Sequence, residues 1–234
     1  MKYLISLLVI ASFYSCDTLQ QLPGNTNSTG TGITQADASQ GIKEALGQGI
    51  GKAVLQLNTI DGFFKDAVYK ILLPPEAVKI ENTLRSLGLN QLVDKAILQI
   101  NRGAENAAGY AKPIFIDAIK GMSIGDAISI IHGGDTSATH YFREKTTAKL
   151  IAAFLPVIKS SLDKASATRY YSDMVNTYNN FPTTVNNINP DLPSYVTMRA
   201  TNALFDLISH EEKNIRENPI ARTTEILRKV FGGR

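Results

Sequence analysis

Thr34–Ile60, TQADASQGIKEALGQGIGKAVLQLNTI, decides the fold class. Ile42, Leu46, Ile50, Ala53, Leu57 and Ile60 recur at three- and four-residue intervals, which places them on one stripe of an α-helix. Thr34 followed three residues later by Asp37 has the form of a capping box, so the helix is expected to start there. Gly47 and Gly51 stand four apart, a spacing that marks helix dimerisation in membrane spans. Lys43, Glu44 and Lys52 share the segment, so the expectation is close packing inside a soluble core instead.

The helical period continues towards the C-terminus. Pro74-Pro75 interrupts the chain, and a helix is predicted from there to about Ser86, ending before Gly88. Asn90 reads as the cap of a long helix carrying Leu92, Ala96, Ile97, Ile100, Ala104 and Ala108, with a kink or restart at Pro113. Ser123-Ile-Gly-Asp126 is a second N-cap with an acid at the third helical position, and Gly133-Gly134 closes that short helix. A further helix is predicted from about Asp135, with Tyr141, Phe142, Ile151, Phe154 and Ile158 and a kink at Pro156. Residues 166–180 read as helix, 181–193 as the longest internal loop, and helices resume over Tyr195–Glu217 and Ala221–Phe231, the last with Pro219 at its first position. No alternating run of strand length stands out. The expected fold is all-α: a single multi-helix domain of about eight or nine helices over residues 34–234.

Towards the N-terminus the pattern changes. Lys2 precedes twelve apolar residues, Tyr3–Tyr14 (YLISLLVIASFY), too few for the ~20 that cross a bilayer and the right length for the apolar core of an export signal. No pair of small residues marks an ordinary cleavage site. Ser15-Cys16 follows instead, and Cys16 is the one cysteine of the chain. A small residue before a lone cysteine is the arrangement of bacterial lipoprotein signals, so residues 1–15 are read as the signal and Cys16 as the lipidated residue. Asp17–Gly32 (DTLQQLPGNTNSTGTG) has almost nothing to bury and reads as a flexible tether whose sixteen residues reach roughly 20–25 Å; Cys16 and the linker together are assigned to 16–33. The chain is therefore expected in the bacterial cell envelope, held to the membrane through Cys16 and facing the periplasm.

Composition narrows the function classes. The 234 residues carry a net charge of +3, and loss of residues 1–15 leaves 23 basic against 21 acidic side chains. So even a balance leaves no footprint for nucleic acid, which wants a basic excess on one face. No cofactor fingerprint appears, and none is expected.

Three motifs bear on chemistry. Gly121–Gly125 (GMSIG) matches the G-x-S-x-G pattern of hydrolase elbows, but that chemistry needs a strand before the serine, and Ile114–Lys120 reads as helix with Ser123 as its successor's cap. His140 and Glu144, one turn apart, share a helix face, yet a zinc site wants three or four ligands and the sequence supplies no others nearby. Gly133–Ser137 opens a helix whose free N–H groups suit an anion, with Asp135 expected to cap them itself. Two polar groups carry more weight: Asn101, Arg102 and Glu105 beside the apolar face of a long helix, and Glu211, Glu212, Arg216, Asn218 and Arg222 around a helix–Pro–helix corner. Buried Arg and Glu must pair. They form either a network locking helices together or, with Tyr141 and Arg143, a polar pocket offering forked donors to an anionic ligand.

The order of several segments resembles a bacterial lipoprotein family, domain of unknown function 4197. The residues that carry the likeness are Gly41–Leu46, Asp61-Gly-Phe63, Arg85–Leu89, Asn101-Arg102 with Glu105, Asp126-Ala127, Ala138-Thr139 with Tyr141–Arg143, Lys145-Thr146 and, at the C-terminal end, Glu211-Glu212, Ile215–Pro219 and Ala221–Thr224. It spans nearly the whole chain from Thr34 to Phe231. The family's usual pattern lacks both glycines of the G-x-S-x-G match. The resemblance implies a lipoprotein signal and a helical domain, and brings no activity with it. The functional expectation is a non-enzymatic module that binds an envelope protein, lipid or cell-wall partner. The alternative is a small-ligand-binding protein or hydrolase using Arg102, Glu105 and Arg143.

Overall fold

A computed structural model describes residues 34–164, 166–180, 187–222 and 224–231. The expected export signal (1–15), the expected linker with Cys16 (16–33) and residues 181–186 of the expected internal loop lie outside the described residues. Among the described residues there are nine α-helices, two 3-10 turns and no strand. The helices are α1 (Gln35–Asn58), α2 (Val78–Ser86), α3 (Asn90–Ala108), α4 (Ala111–Lys120), α5 (Ile124–His132), α6 (Ser137–Lys164), α7 (Ala167–Asn179), α8 (Leu192–Glu217) and α9 (Glu225–Phe231). Turns at Pro75–Ala77 and Pro219–Ala221 lead into α2 and towards α9. No described helix is long and apolar enough to cross a membrane.

Four long helices build the frame. α6 lies against α3, α8 and α4, while α1 lies against α8, α5, α4, α9 and α3. The sequence of α6 explains why it meets so many partners. Ala138, Phe142, Thr146, Leu150, Phe154, Ile158 and Leu162 are all buried and fall every four residues. Four residues are slightly more than one turn, so the buried stripe advances about 40° at each step and winds around the helix. Its one polar member, Thr146, donates its hydroxyl to the Phe142 carbonyl at 2.6 Å and so leaves no orphaned group in the core. Near the N-terminal end of the stripe Phe115, Phe142 and Phe205 pack edge to face, with ring centroids 5.4 and 5.9 Å apart. α6 remains one helix through Pro156, whose ring lies on the exposed face.

Several boundaries differ from the sequence reading. α1 ends at Asn58, so Ile60 falls beyond the helix and is 81% exposed rather than part of the stripe. The expected close packing at Gly47 and Gly51 is also corrected: a Cβ at either position meets nothing within 4 Å. The glycines at real crossings are Gly49, where a Cβ would stand 3.4 Å from Glu211 Cβ, and Gly103, where it would stand 3.3 Å from Ser161 Cβ. Leu89, not Asn90, occupies the cap position of α3. α8 starts at Leu192, three residues early, because Asp191 accepts the Ser194 N–H and Pro193 fits the first turn. Pro219 starts a 3-10 turn, which delays the last helix to Glu225.

Candidate functional site

Asn101, Arg102 and Glu105 point from α3 at the irregular segment that follows α1. That segment begins with a tight turn. Asp61 takes a left-handed backbone (φ 71°), and Gly62 sits so close to the end of α1 that a Cβ there would lie 2.2 Å from the Gln56 carbonyl. The turn drives Phe63 fully into the core and leaves the Phe63 and Phe64 N–H groups facing inward. Glu105 accepts both, at 3.2 and 3.1 Å. Arg102 then bridges Glu105 (2.6 Å) and Asp61 (2.7 Å). One turn earlier on α3, Asn101 accepts the Ile71 N–H at 2.8 Å and donates to the Ile71 and Ile97 carbonyls. These residues therefore form one clamp that fastens residues 61–71 to α3. The Lys65 and Arg102 partners hold the Asp61 carboxyl below the usual carboxylate range, and Glu105 followed by Asp61 raises the Arg102 guanidinium.

The second polar group forms a similar clamp at the α5–α6 corner. Ala138 and Thr139 donate their backbone N–H groups, and Thr139 its hydroxyl, to the Glu212 carboxylate, each at 2.9 Å. Arg216 pairs with Glu212 at 2.8 Å and donates to the Ile130 carbonyl (2.7 Å) and Ser137 Oγ (2.9 Å). The expected anion site at Gly133–Ser137 is thus filled from within the chain: Glu212 on α8, rather than Asp135, caps α6. An anion at a helix N-terminus is stabilised by the free N–H groups and the helix dipole, and a sequence spacing of 74 residues gave no hint of it. Glu211 pairs with Lys52 at 3.2 Å. Arg222 donates to the Ile215 and Arg216 carbonyls and so closes the end of α8.

The remaining candidates scatter. Ser123 Oγ accepts the Asp126 N–H at 3.0 Å and the Asp126 carboxylate accepts the Ser123 N–H at 3.0 Å, a capping box that opens α5 with helix, not strand, before it. Tyr141 is half-buried and donates to the Ala118 carbonyl at 3.3 Å. Arg143 lies over the Phe205 ring, 4.5 Å from its centroid, and donates to Asn202. It lines a shallow recess with Val68, Tyr69, Arg199, Asn202 and Asp206, a set that includes neither Arg102 nor Glu105. Burial, then the hydrogen bond to Asp206 at 2.9 Å, pushes the Tyr69 hydroxyl well above its ordinary pKa. His132 and His140 are exposed. No group of three or more metal-ligating side chains occurs among the described residues.

A surface feature outside all of these motifs is apolar. An apolar cleft, open to solvent along one side, runs between α2, α3 and α7, with Leu84, Leu92, Val93, Ala96, Tyr170 and Met174 in its lining. At one end it continues past Ile80 and Tyr178. At the other it meets a polar stretch formed by Lys95, Gln99, Lys164 and Ser166. Leu92 is 42% and Tyr170 52% exposed, and Leu87 and Leu89 stand exposed at the neighbouring turn. α2 packs chiefly on α3 and the turn before it and has no fully buried residue, so one wall of the cleft is lightly held. Burial pushes the Tyr171 hydroxyl, deep in the cleft, up to about 12. Helical period alone did not reveal this cleft, because an exposed Leu92 and a buried Val93 look equally suited to a core.

A family model described as protein of unknown function (DUF4197) matches residues 32–232. No curated protein and no solved structure matches the chain.

Proposed function

We propose that this chain, which belongs to the DUF4197 family, is a lipid-anchored, non-enzymatic module of the bacterial cell envelope that holds an apolar partner in the cleft between α2, α3 and α7. The observation that carries the reading is the contrast between the two kinds of candidate. The Glu105 and Glu212 clusters are occupied by backbone N–H groups of the chain itself. The cleft instead leaves large apolar side chains facing water, and such patches in a folded domain mark binding surfaces. The signal read in residues 1–15, Cys16 after it and the polar composition of Asp17–Gly32 support placement at the membrane surface, with sixteen residues of such composition reaching roughly 20–25 Å between anchor and domain.

Two experiments test it. Cys16→Ala is expected to abolish incorporation of labelled palmitate and move the chain out of the membrane fraction. A photo-crosslinking residue at Leu92 of the anchored chain is expected to capture a partner in cells, with Met198, exposed on α8, as the silent control. Turnover of an envelope substrate that a single polar substitution abolishes would replace this reading with a catalytic one.

A second reading rests on the Arg143 recess, where Arg143 and Arg199 border one hollow and suit a small anion. A mass adduct on the natively purified protein that disappears in Arg143→Ala would favour it.

A further inference from the structure

The cleft has a chemical polarity along its length. Its middle is apolar on floor and walls: Leu73 and Val93 below, Leu84 on the α2 side, Met174 and Tyr170 on the α7 side. Its polar end carries two lysines from different helices, Lys95 of α3 and Lys164 at the end of α6, with Gln99 and Ser166 beside them. Both ammonium groups are exposed, and neither makes an ion pair among the described residues. The carboxylate that lines the cleft, Asp173, lies towards the opposite end, with Ile80 and Tyr178, and pairs with Arg169 at 3.7 Å. Apolar in the middle and cationic at one end, the cleft matches an occupant with an apolar chain and a single anionic head.

We propose that the cleft binds a fatty acid, its acyl chain laid between α2 and α7 and its carboxylate between Lys95 and Lys164. The inference rests on the binding-module reading above and gives its partner a chemistry. An acyl chain has apolar surface on every side, so it uses the floor and both walls at once, whereas an amphipathic protein helix would present its apolar stripe to only one of them. The lightly held α2 gives the chain a way in without disturbing the α3–α6–α8 frame. The long ammonium stems of Lys95 and Lys164 can follow the head while covering the first carbons of the tail.

The test uses the mature chain from residue 16 carrying Cys16→Ser, so that no anchor competes, purified without detergent and titrated with laurate below its micelle concentration. Saturable one-to-one binding is expected. Laurate should bind about fifteenfold more tightly than decanoate, since it buries two more methylenes and each contributes roughly a fourfold gain. The Lys95→Gln, Lys164→Gln double variant is expected to weaken laurate about tenfold while leaving dodecanol unchanged, and Leu92→Asp, at an exposed position, to abolish binding of both with the fold intact by circular dichroism. Equal binding of laurate, dodecanol and dodecyltrimethylammonium would overturn the proposal, because the lysine pair would then select nothing. Absence of saturable laurate binding would also overturn it. In that case a protein captured from Leu92 in cells leaves the binding-module reading standing, and no capture removes both.

Discussion

Glu212 of α8 accepts the first two free N–H groups of α6, while Arg216, one turn further along the same helix, binds both that carboxylate and the last carbonyls of α5. The pair joins three helix ends through two side chains that are only 4% and 6% exposed. Removing one partner of a buried pair leaves the other charge uncompensated, so Arg216→Met and Glu212→Ala are each expected to cost about 3–5 kcal/mol. The double variant should cost clearly less than the sum. Urea denaturation of the four proteins of this cycle measures the coupling, and additive losses would show that the two side chains act independently.

Asn101 holds Ile71 by both its N–H and its carbonyl. Asn101→Ala breaks three buried hydrogen bonds and is expected to cost about 2–4 kcal/mol. Asn101→Asp keeps the acceptor for the Ile71 N–H but sets a carboxylate against the Ile71 and Ile97 carbonyls, so it should be at least as damaging despite its equal size. Hydrogen exchange at the Ile71 amide reads the clamp directly. Faster exchange there in both variants, with α6 amides still protected, is the expected pattern.

What the sequence disclosed follows the range of the interactions involved. Thr34 with Asp37 and Ser123 with Asp126 act within one helical turn, and both capping boxes form as read. The all-α class follows from period in the same way. Asn101, Arg102 and Glu105 were legible as a group because they share one helix, but their partners Asp61, Phe63 and Ile71 come from another segment. The cap of α6 by Glu212 was not legible for the same reason: the nearer Asp135 looked sufficient. Ile60 misled because a hydrophobic period does not show where the helix stops. The cleft was hidden most thoroughly, since whether Leu92 faces a neighbour or water depends on how far α2 and α7 stand apart.

The glycines of α1 and α3 separate helix propensity from packing. Gly47 is exposed, with open space where a Cβ would be, so Gly47→Ala should stabilise the domain by about 0.5–1 kcal/mol through the entropy glycine loses on folding. At Gly103 a Cβ already comes within 3.3 Å of Ser161 and 3.6 Å of the Ile158 backbone. The branches of Gly103→Val would force α3 from α6 and cost about 1–3 kcal/mol. Thermal unfolding should therefore move up by a few degrees for the first variant and down for the second.

Alkaline pH should loosen the α7 side of the domain before the rest. Tyr171 keeps its proton to about pH 12 in the folded chain, because burial disfavours the phenolate, against an ordinary value near 10. A raised folded-state pKa means that the folded chain binds the proton more tightly than the unfolded one. The stability tied to that proton is complete below pH ~10 and is lost as pH rises from there through about 12. After allowance for solvent screening the loss amounts to about 1–2 kcal/mol. Tyr171→Phe has nothing to ionise, so its urea midpoint should fall less between pH 9.5 and 11.5 than that of the parent chain, although it also lacks the bond to the Asn189 carbonyl. Tyr110→Phe, at an exposed position, serves as the control and should follow the parent. If Tyr171→Phe falls as steeply as the parent, the alkaline loss belongs to another buried hydroxyl, with Tyr69 beside Asp206 the next to test.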